Sequence, residues 1–501
     1  MAPKSDSDSS LSSLSATPDP SSGTSPDTLA QVTKATVKTQ TKTNSKGKKR
    51  KAETVTTTTK RTKKAVVEAE EAPNHEEVAE TPKKGQKRAV KKAKVTDDVV
   101  EETAQVEAEE DYGETKVVVK KTKRKSKAEK EAELAPLEER TVGSKLLVGA
   151  HVSIAGGVHN SITNLIHIGA NAFAVFLKNQ RKWDNPALDP EHATLFIDGC
   201  KKHDVEPGIC CLPHGSYLVN LAHPAEDRKK QAYDSFLDDL TRSHKLGIKL
   251  YNFHPGNSNA TTREDGIRLI AENINKAHKD PATGEVIPVL ETMASLGNTI
   301  GGTFEDLAEI IKLVEDKNRI GVCIDTCHIF AAGYDLRTPE AFAETMKKFD
   351  EVIGLKYLKA LHINDSKAPF ASHRDLHARI GTGYLGLRPF HNLVNDKRLH
   401  GLPMVLETPI DVKGEDGKKI EDKGIWAREI KLLERLVGMY VEGDEFKKLE
   451  KELFEAGADE RERIGGQVER KKAKAAGEKG GKKGGKGKKK AESKDADEDD
   501  E

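Results

Sequence analysis

The sequence predicts an α/β protein folded as a (β/α)8 TIM barrel with disordered N- and C-terminal tails, and three observations carry that prediction. Between residues 146 and 409, short apolar and β-branched runs end in polar residues and are each followed by an amphipathic stretch, which reads as strand, loop and helix in turn. Eight such runs occur, and strands alternating with helices at this spacing form a parallel sheet, closed in a barrel of about 250 residues. The core-forming residues are also confined to the middle of the chain. Both tryptophans, all thirteen phenylalanines, all five cysteines and sixteen of the seventeen histidines fall within 142–454. A doubly wound open sheet is the competing architecture for the same alternation.

The predicted strands are Leu146 to His151, Ala172 to Leu177, Pro207 to Leu212, Leu250 to Phe253, Ile287 to Leu290, Ile320 to Ile324, Tyr357 to Leu361 and Met404 to Leu406. Helical patterns lie between them at Ala225 to Leu246, Glu264 to Ala277, Thr303 to Val314 and Pro339 to Val352, with Thr303 as a cap and Gly247 as a stop. A further helix from Gly424 to Val441, running on towards Phe454, is expected to cover the outside or the bottom of the barrel.

Residues 1–141 and 455–501 are Lys, Glu, Ser, Thr and Gly sequence that cannot bury a core, and both are expected to be disordered. The net charge of +1 conceals basic blocks at Lys48 to Lys51, Lys83 to Lys94, Lys120 to Lys127 and Arg470 to Lys490. Such blocks suit nuclear import factors or sequence-blind contacts to DNA phosphates. A nuclear location follows as an expectation, with the mitochondrion left open. No apolar run reaches the roughly 18 residues of a membrane span, and no secretory signal opens the chain. Cys200, Cys210, Cys211, Cys323 and Cys327 lack paired spacing and are expected to be reduced, buried thiols.

Residues able to hold metal ions fall at the C-terminal ends of the predicted strands. These are His214 after strand three, His254 after strand four, Glu291 after strand five, and Asp325 and His328 after strand six. His362 follows strand seven, Asp375 and His377 stand in the next loop, and Glu407 follows strand eight. In a barrel these ends converge on one mouth, where the active sites of the fold are built. Charged groups at the ends of apolar strands need a shared counter-charge. Imidazole with carboxylate suits zinc, and this many carboxylates suggests several ions sharing bridges. The Asn179-Gln180-Arg181-Lys182-Trp183 loop adds either a cation and an aromatic for phosphate and base or a surface Arg with the Trp tucked into the helix layer, while Tyr217 and Leu218 stand just beyond His214, where they either wedge a duplex or cap a helix.

At these residues the sequence resembles the endonuclease IV family of apurinic/apyrimidinic endonucleases, over about Lys145 to Leu436. The resemblance rests on Gly149-Ala-His-Val-Ser153, Lys178-Asn-Gln-Arg181, Leu212-Pro-His-Gly-Ser-Tyr-Leu218, Asn252-Phe-His-Pro-Gly256, Gly321-Val-Cys-Ile-Asp-Thr-Cys-His328, His362-Ile-Asn-Asp-Ser-Lys367 and Leu406-Glu-Thr-Pro409. It implies three zinc ions: His214 and His254 on the first, with Glu291 bridging to the second; Asp325, His362 and Glu407 completing the second; and His328, Asp375 and His377 on the third. It implies that Arg181, Tyr217 and Leu218 enter the minor groove and help turn out the abasic nucleotide. The implied activity is hydrolysis 5′ to an abasic site to leave a 3′-hydroxyl, with cleaning of blocked 3′ ends in double-stranded DNA, by a monomer whose catalytic bridge is Glu291.

The chain departs from the family pattern at Glu291-Thr-Met-Ala-Ser-Leu296, where an amide beside the bridging glutamate is lost, and at Leu376 and Thr382. These changes bear on rate and substrate preference. Two other functions fit the same residue types: a metal-dependent sugar isomerase or epimerase on a related barrel, and a DNA-binding protein whose catalysis has lapsed. The complete ligand set argues against the second.

Overall fold

The computed structural model describes residues 104–109, 116–121, 135–415 and 417–480. The basic clusters at 48–51, 83–94 and 122–127, and the stretch after residue 480, lie outside the described residues. Within the segment expected to be disordered, β1 (Ala104–Glu109) and β2 (Lys116–Lys121) pair as an antiparallel hairpin.

The barrel is built from β3 (Leu147–His151), β4 (Ala172–Ala174), β5 (Leu250–Phe253), β6 (Ile287–Glu291), β7 (Gly321–Asp325), β8 (Leu358–His362) and, after the short β9 (Asp365–Ser366) and β10 (His377–Ala378), β11 (Pro403–Leu406). All seven long strands are parallel, in the order β4-β3-β11-β8-β7-β6-β5. Seven of the eight predicted strands therefore stand where the sequence puts them.

The expected third strand, Pro207 to Leu212, is corrected by the structure. Residues Pro207–Cys210 form a single helical turn led by the proline, whose fixed φ suits the first helical position. The stave is instead made by residues 211–215. Leu212 N–H donates to Phe173 O and His214 N–H to Val175 O, both at 2.9 Å, while Gly215 N–H and Asn252 N–H exchange with Asn252 O and Pro213 O at 2.8 Å. Parallel bridges from Phe173 to Cys211 and from His214 to Asn252 thus join β4 to β5 and close the ring.

The inside of the ring is filled by one layer, Ala174, Leu212, Leu250, Val289, Cys323, Ala360 and Val405, drawn from alternate-facing positions of seven staves. On β3 the tight position is Gly149, where a Cβ would lie 1.5 Å from Ala172 O, so only glycine lets β3 and β4 close up. A second, larger core lies between the staves and the surrounding helices.

The helices follow the sequence pattern closely. In chain order they are α1 (Asn160–His167), α2 (Pro190–Lys202), α3 (Pro207–Cys210), α4 (Glu226–Lys245), α5 (Arg263–His278), α6 (Phe304–Leu313), α7 (Thr326–Ala332), α8 (Pro339–Val352), α9 (Arg388–Asn395), α10 (Gly424–Arg435), α11 (Asp444–Ala456) and α12 (Ala458–Gly480). Thr303 closes a full capping box with Asp306 at the start of α6. The final predicted helix is split into α10 and α11, turning through Gly438 at φ +71°. Beyond it, α12 occupies the start of the segment expected to be disordered. Composition there is polar, but Arg461, Ile464 and Val468 are buried at successive helical spacings, which anchors the helix to the barrel. No described helix is long and apolar enough to cross a membrane.

Candidate metal centre

All nine predicted ligand positions stand at one end of the ring, in or beside a cleft of about 1590 Å³. Glu291, the last residue of β6, lies fully buried at the centre. Its Oε2 is 3.1 Å from His214 Nε2 and 3.4 Å from His254 Nε2, and its Oε1 is 3.0 Å from His362 Nδ1 and 3.4 Å from His328 Nδ1. One carboxylate therefore faces four imidazoles. His362 Nδ1 is also 3.3 Å from Glu407 Oε2 and 3.9 Å from Asp325 Oδ2. To one side, Asp375 is reached by His328 Nε2 at 3.0 Å and His377 Nε2 at 3.2 Å.

The chain holds these groups by local devices. Asp325 caps α7 by accepting from His328 N–H at 2.8 Å, which fixes both ligands together. His377 opens β10, which pairs with β9, so the loop bearing Asp375 returns to the mouth with His377 opposite Ser366. The altered residue Thr292 is buried. Its hydroxyl accepts from Asp325 N–H at 2.9 Å, and its carbonyl is 2.8 Å from His328 Nδ1. At the position that departs from the family pattern, the side chain bonds the backbone of Asp325 and the main-chain carbonyl faces His328.

Three groups beside the ligands, two of them buried, are unmarked by the sequence pattern. Asn252 Nδ2 donates to Glu291 Oε2 at 2.5 Å. Asn364 donates to Asp325 Oδ2 at 2.6 Å and accepts Glu407 N–H at 2.8 Å. His151 Nδ1 stands 3.6 Å from Glu407 Oε1. Each asparagine is two residues from a ligand, so it faces the same way from the strand end. A neutral polar residue in that position is the signal that would have found them.

The electrostatics are those of buried carboxylates and imidazoles shifting one another. Burial alone would raise the Glu291 carboxyl, but His362 and His254 facing it, with His214 hydrogen-bonded to it, hold it well below the usual carboxylate range. Burial likewise disfavours a charged His362, yet Glu291 and Glu407 outweigh it and hold the imidazole at about 10. For His377 the contest between burial and Asp375 ends at about 9. Cys327 lies beside Asp325 and His377, but burial pushes its thiol well up and keeps it neutral. All five cysteines are free and buried, as expected.

The donor set fits divalent metal. His328 Nε2 and His377 Nε2 lie close to Asp375 but lack hydrogen-bond alignment, and His362 Nε2 is buried with no hydrogen-bond partner. The groups His328, Asp375 and His377, and Glu291, Asp325, His362 and Glu407, each gather ligand atoms within 4.8 Å of one another, as do His214, Glu291 and His362. Ligands on one tetrahedral zinc stand roughly 3.4 Å apart, given bonds of about 2.0 to 2.1 Å.

Around the mouth, Arg181 is exposed, with its loop shaped by Asn179 Oδ1, which accepts Arg181 N–H at 2.9 Å. Tyr217 and Leu218 are 54% and 37% exposed, and the Tyr217 ring centroid lies 5.4 Å from those of Phe176 and His214. All three line the cleft. Trp183 does not. It packs against the main core, and the tryptophan lining the cleft is Trp426, which donates to Thr408 O at 3.0 Å.

A family model described as a xylose isomerase-like TIM barrel matches residues 162–436, which with the observed ring makes this chain a TIM-barrel protein of that superfamily. That description spans sugar-isomerising barrels too, and sequence relatives separate the possibilities. Apurinic-apyrimidinic endonuclease 1 of Saccharomyces cerevisiae is 46% identical over 297 residues, covering 59% of this chain and 78% of that protein. The protein of the same name from Schizosaccharomyces pombe is 44% identical over 308 residues, covering 62% and 86%. Probable endonuclease 4 of Campylobacter curvus is 45% identical over 290 residues, covering 58% and 97%. The chain belongs to the endonuclease IV family of apurinic-apyrimidinic endonucleases.

Proposed function

We propose that this nuclease of the hydrolase class cleaves the phosphodiester 5′ to an abasic site in double-stranded DNA, leaves a 3′-hydroxyl, and also cleans blocked 3′ ends. The reading rests above all on Glu291, a buried carboxylate facing four imidazoles at a mouth that two further metal-capable groups share. We assign three zinc ions: the first to His214, His254 and Glu291, the second to Glu291, Asp325, His362 and Glu407, and the third to His328, Asp375 and His377. Bound zinc supplies Lewis acidity, making a water acidic enough to attack near neutral pH and neutralising charge on the phosphoryl oxygens.

The chain's own residues do the rest. Glu291 is kept ionised by its imidazole neighbours and can orient the attacking water from the centre of the cluster. Asn252 and Asn364 fix the carboxylates that must not rotate. Arg181 offers a cation to a backbone phosphate at the rim. Tyr217 and Leu218 present apolar surface to water, which a separated base step would cover. The protein acts as a monomer, in the nucleus, with the basic clusters of its tails serving import or phosphate contacts.

A duplex oligonucleotide bearing a tetrahydrofuran abasic analogue tests this. The purified chain is expected to nick it, and to lose that activity on exhaustive zinc removal. Intact substrate under both conditions, from protein that is folded, would sink the proposal.

A further inference from the structure

We infer that α12, which lies beyond the residues the family model matches, is a brace that positions the loop carrying Asp375 and His377. This rests on the metal reading given above. Four contacts join the helix to that loop and its return. Arg461 donates to Thr382 O at 2.6 Å, and Tyr384 Oη donates to Arg461 O at 2.8 Å. Arg374, the residue preceding Asp375, donates to Gln467 Oε1 at 3.2 Å, and Lys367 pairs with Glu460 at 3.6 Å.

The approach is close because glycine stands where side chains would intrude. A Cβ on Gly457 would lie 1.9 Å from Thr382 O, and one on Gly465 would lie 2.3 Å from Tyr384 Oη. Arg461 is itself buried, with its guanidinium 3.5 Å from the centre of the Phe454 ring, so it holds one orientation between α11 and the loop.

The loop is held from both sides. Its base is pinned on the inside by Asp365, which accepts Gly383 N–H at 2.8 Å and Leu385 N–H at 3.0 Å. Its tip is held by two backbone bonds to α7, from Ala371 N–H to Phe330 O at 3.2 Å and from His373 N–H to Ala331 O at 3.0 Å, while Asp375 itself is exposed. Asp375 and His377 come from this one loop, whereas the ligands around Glu291 come from five different staves. The loop that supplies both Asp375 and His377 is the one α12 reaches. Arg461 and Tyr384 touch no substrate; they are positioning residues.

The test uses the full-length zinc-loaded chain and a chelator, with released zinc counted over time and folding checked by circular dichroism. Arg461→Ala is expected to release one equivalent roughly 10- to 100-fold faster, the usual scale for removing support behind metal ligands, with the other equivalents leaving at the unmodified rate. Arg461→Lys, which keeps a donor towards Thr382 O, should restore most of the retention. Tyr384→Phe deletes a single hydroxyl and gives the same one-equivalent pattern in milder form, which decides the matter should Arg461→Ala fail to fold. Unchanged release in the folded variants overturns the brace, as does equal acceleration of every equivalent. An unmodified chain that binds no zinc overturns the metal reading itself.

Discussion

Asn364 is fully buried and serves two ligands at once, so Asn364→Ala separates ligand orientation from chemistry. Its amide donates to Asp325 Oδ2 at 2.6 Å, and its carbonyl oxygen accepts Glu407 N–H at 2.8 Å. Truncation leaves a buried backbone N–H without a partner, at about 1 to 3 kcal/mol, and removes a bond to a charged group worth about 1.5 to 3 kcal/mol. The expected loss of folding stability is therefore about 2.5 to 6 kcal/mol, read by urea unfolding of the metal-free protein. Freeing two ligands of one ion should lower its affinity roughly 10- to 100-fold. That corresponds to about 1.4 to 2.7 kcal/mol, so the zinc-loaded variant falls further below its parent than the metal-free one does. Competition against a chromophoric chelator measures the affinity. At saturating zinc the turnover number should recover, because Asn364 touches no substrate. Zinc affinity within twofold of the parent, with an unchanged unfolding midpoint, would refute the reasoning.

Two other outcomes follow from the geometry. Glu429 is buried between α10 and the barrel, accepting Ile380 N–H at 2.7 Å and paired with the Thr408 hydroxyl, and burial pushes its carboxyl from 4.5 up to about 7. The native state then holds a proton that the unfolded chain gives up, so this group's contribution is full below pH 4.5 and is lost as pH rises to about 7, a change of about 3 kcal/mol. Glu429→Gln keeps the shape and removes the slope, so its stability relative to the parent should climb across that window; parallel unfolding curves at pH 4.5 and 7.5 would count against a neutral Glu429. Arg181→Ala should raise KM for abasic duplex several-fold, leave kcat nearly unchanged, and reduce the salt dependence of binding by about one phosphate contact. A fall in kcat alone would show Arg181 acting on the reaction instead of on binding.

The barrel was legible because parallel strands buried on both faces read as continuous apolar runs, and because strands three to eight each led into a residue that would be costly without a shared charge. Pro207 to Leu212 misled for a physical reason. The run is apolar throughout, but Pro207 favours a helical start that leaves Ile209 exposed, and the stave shifts towards His214. Trp183 was read as a stacking surface from its neighbours in sequence, yet its ring packs on the main core and Trp426, far along the chain, lines the cleft instead. Asn252 and Asn364 were hidden because an isolated amide carries no charge to betray it. The helix after Ala456 was invisible to composition, since three buried side chains on one face suffice to dock it.

The stave at 211–215 has a consequence for how the molecule yields. Every other seam of the ring joins two regular strands, while here four backbone hydrogen bonds carry the closure. His214 belongs to that seam, and Tyr217 and Leu218 follow it directly. On the proposed function, a duplex pressed against those two side chains would bear on the one stave that is not a regular strand. The residues that would take that load are joined to β4 and β5 through the same short stretch that carries His214.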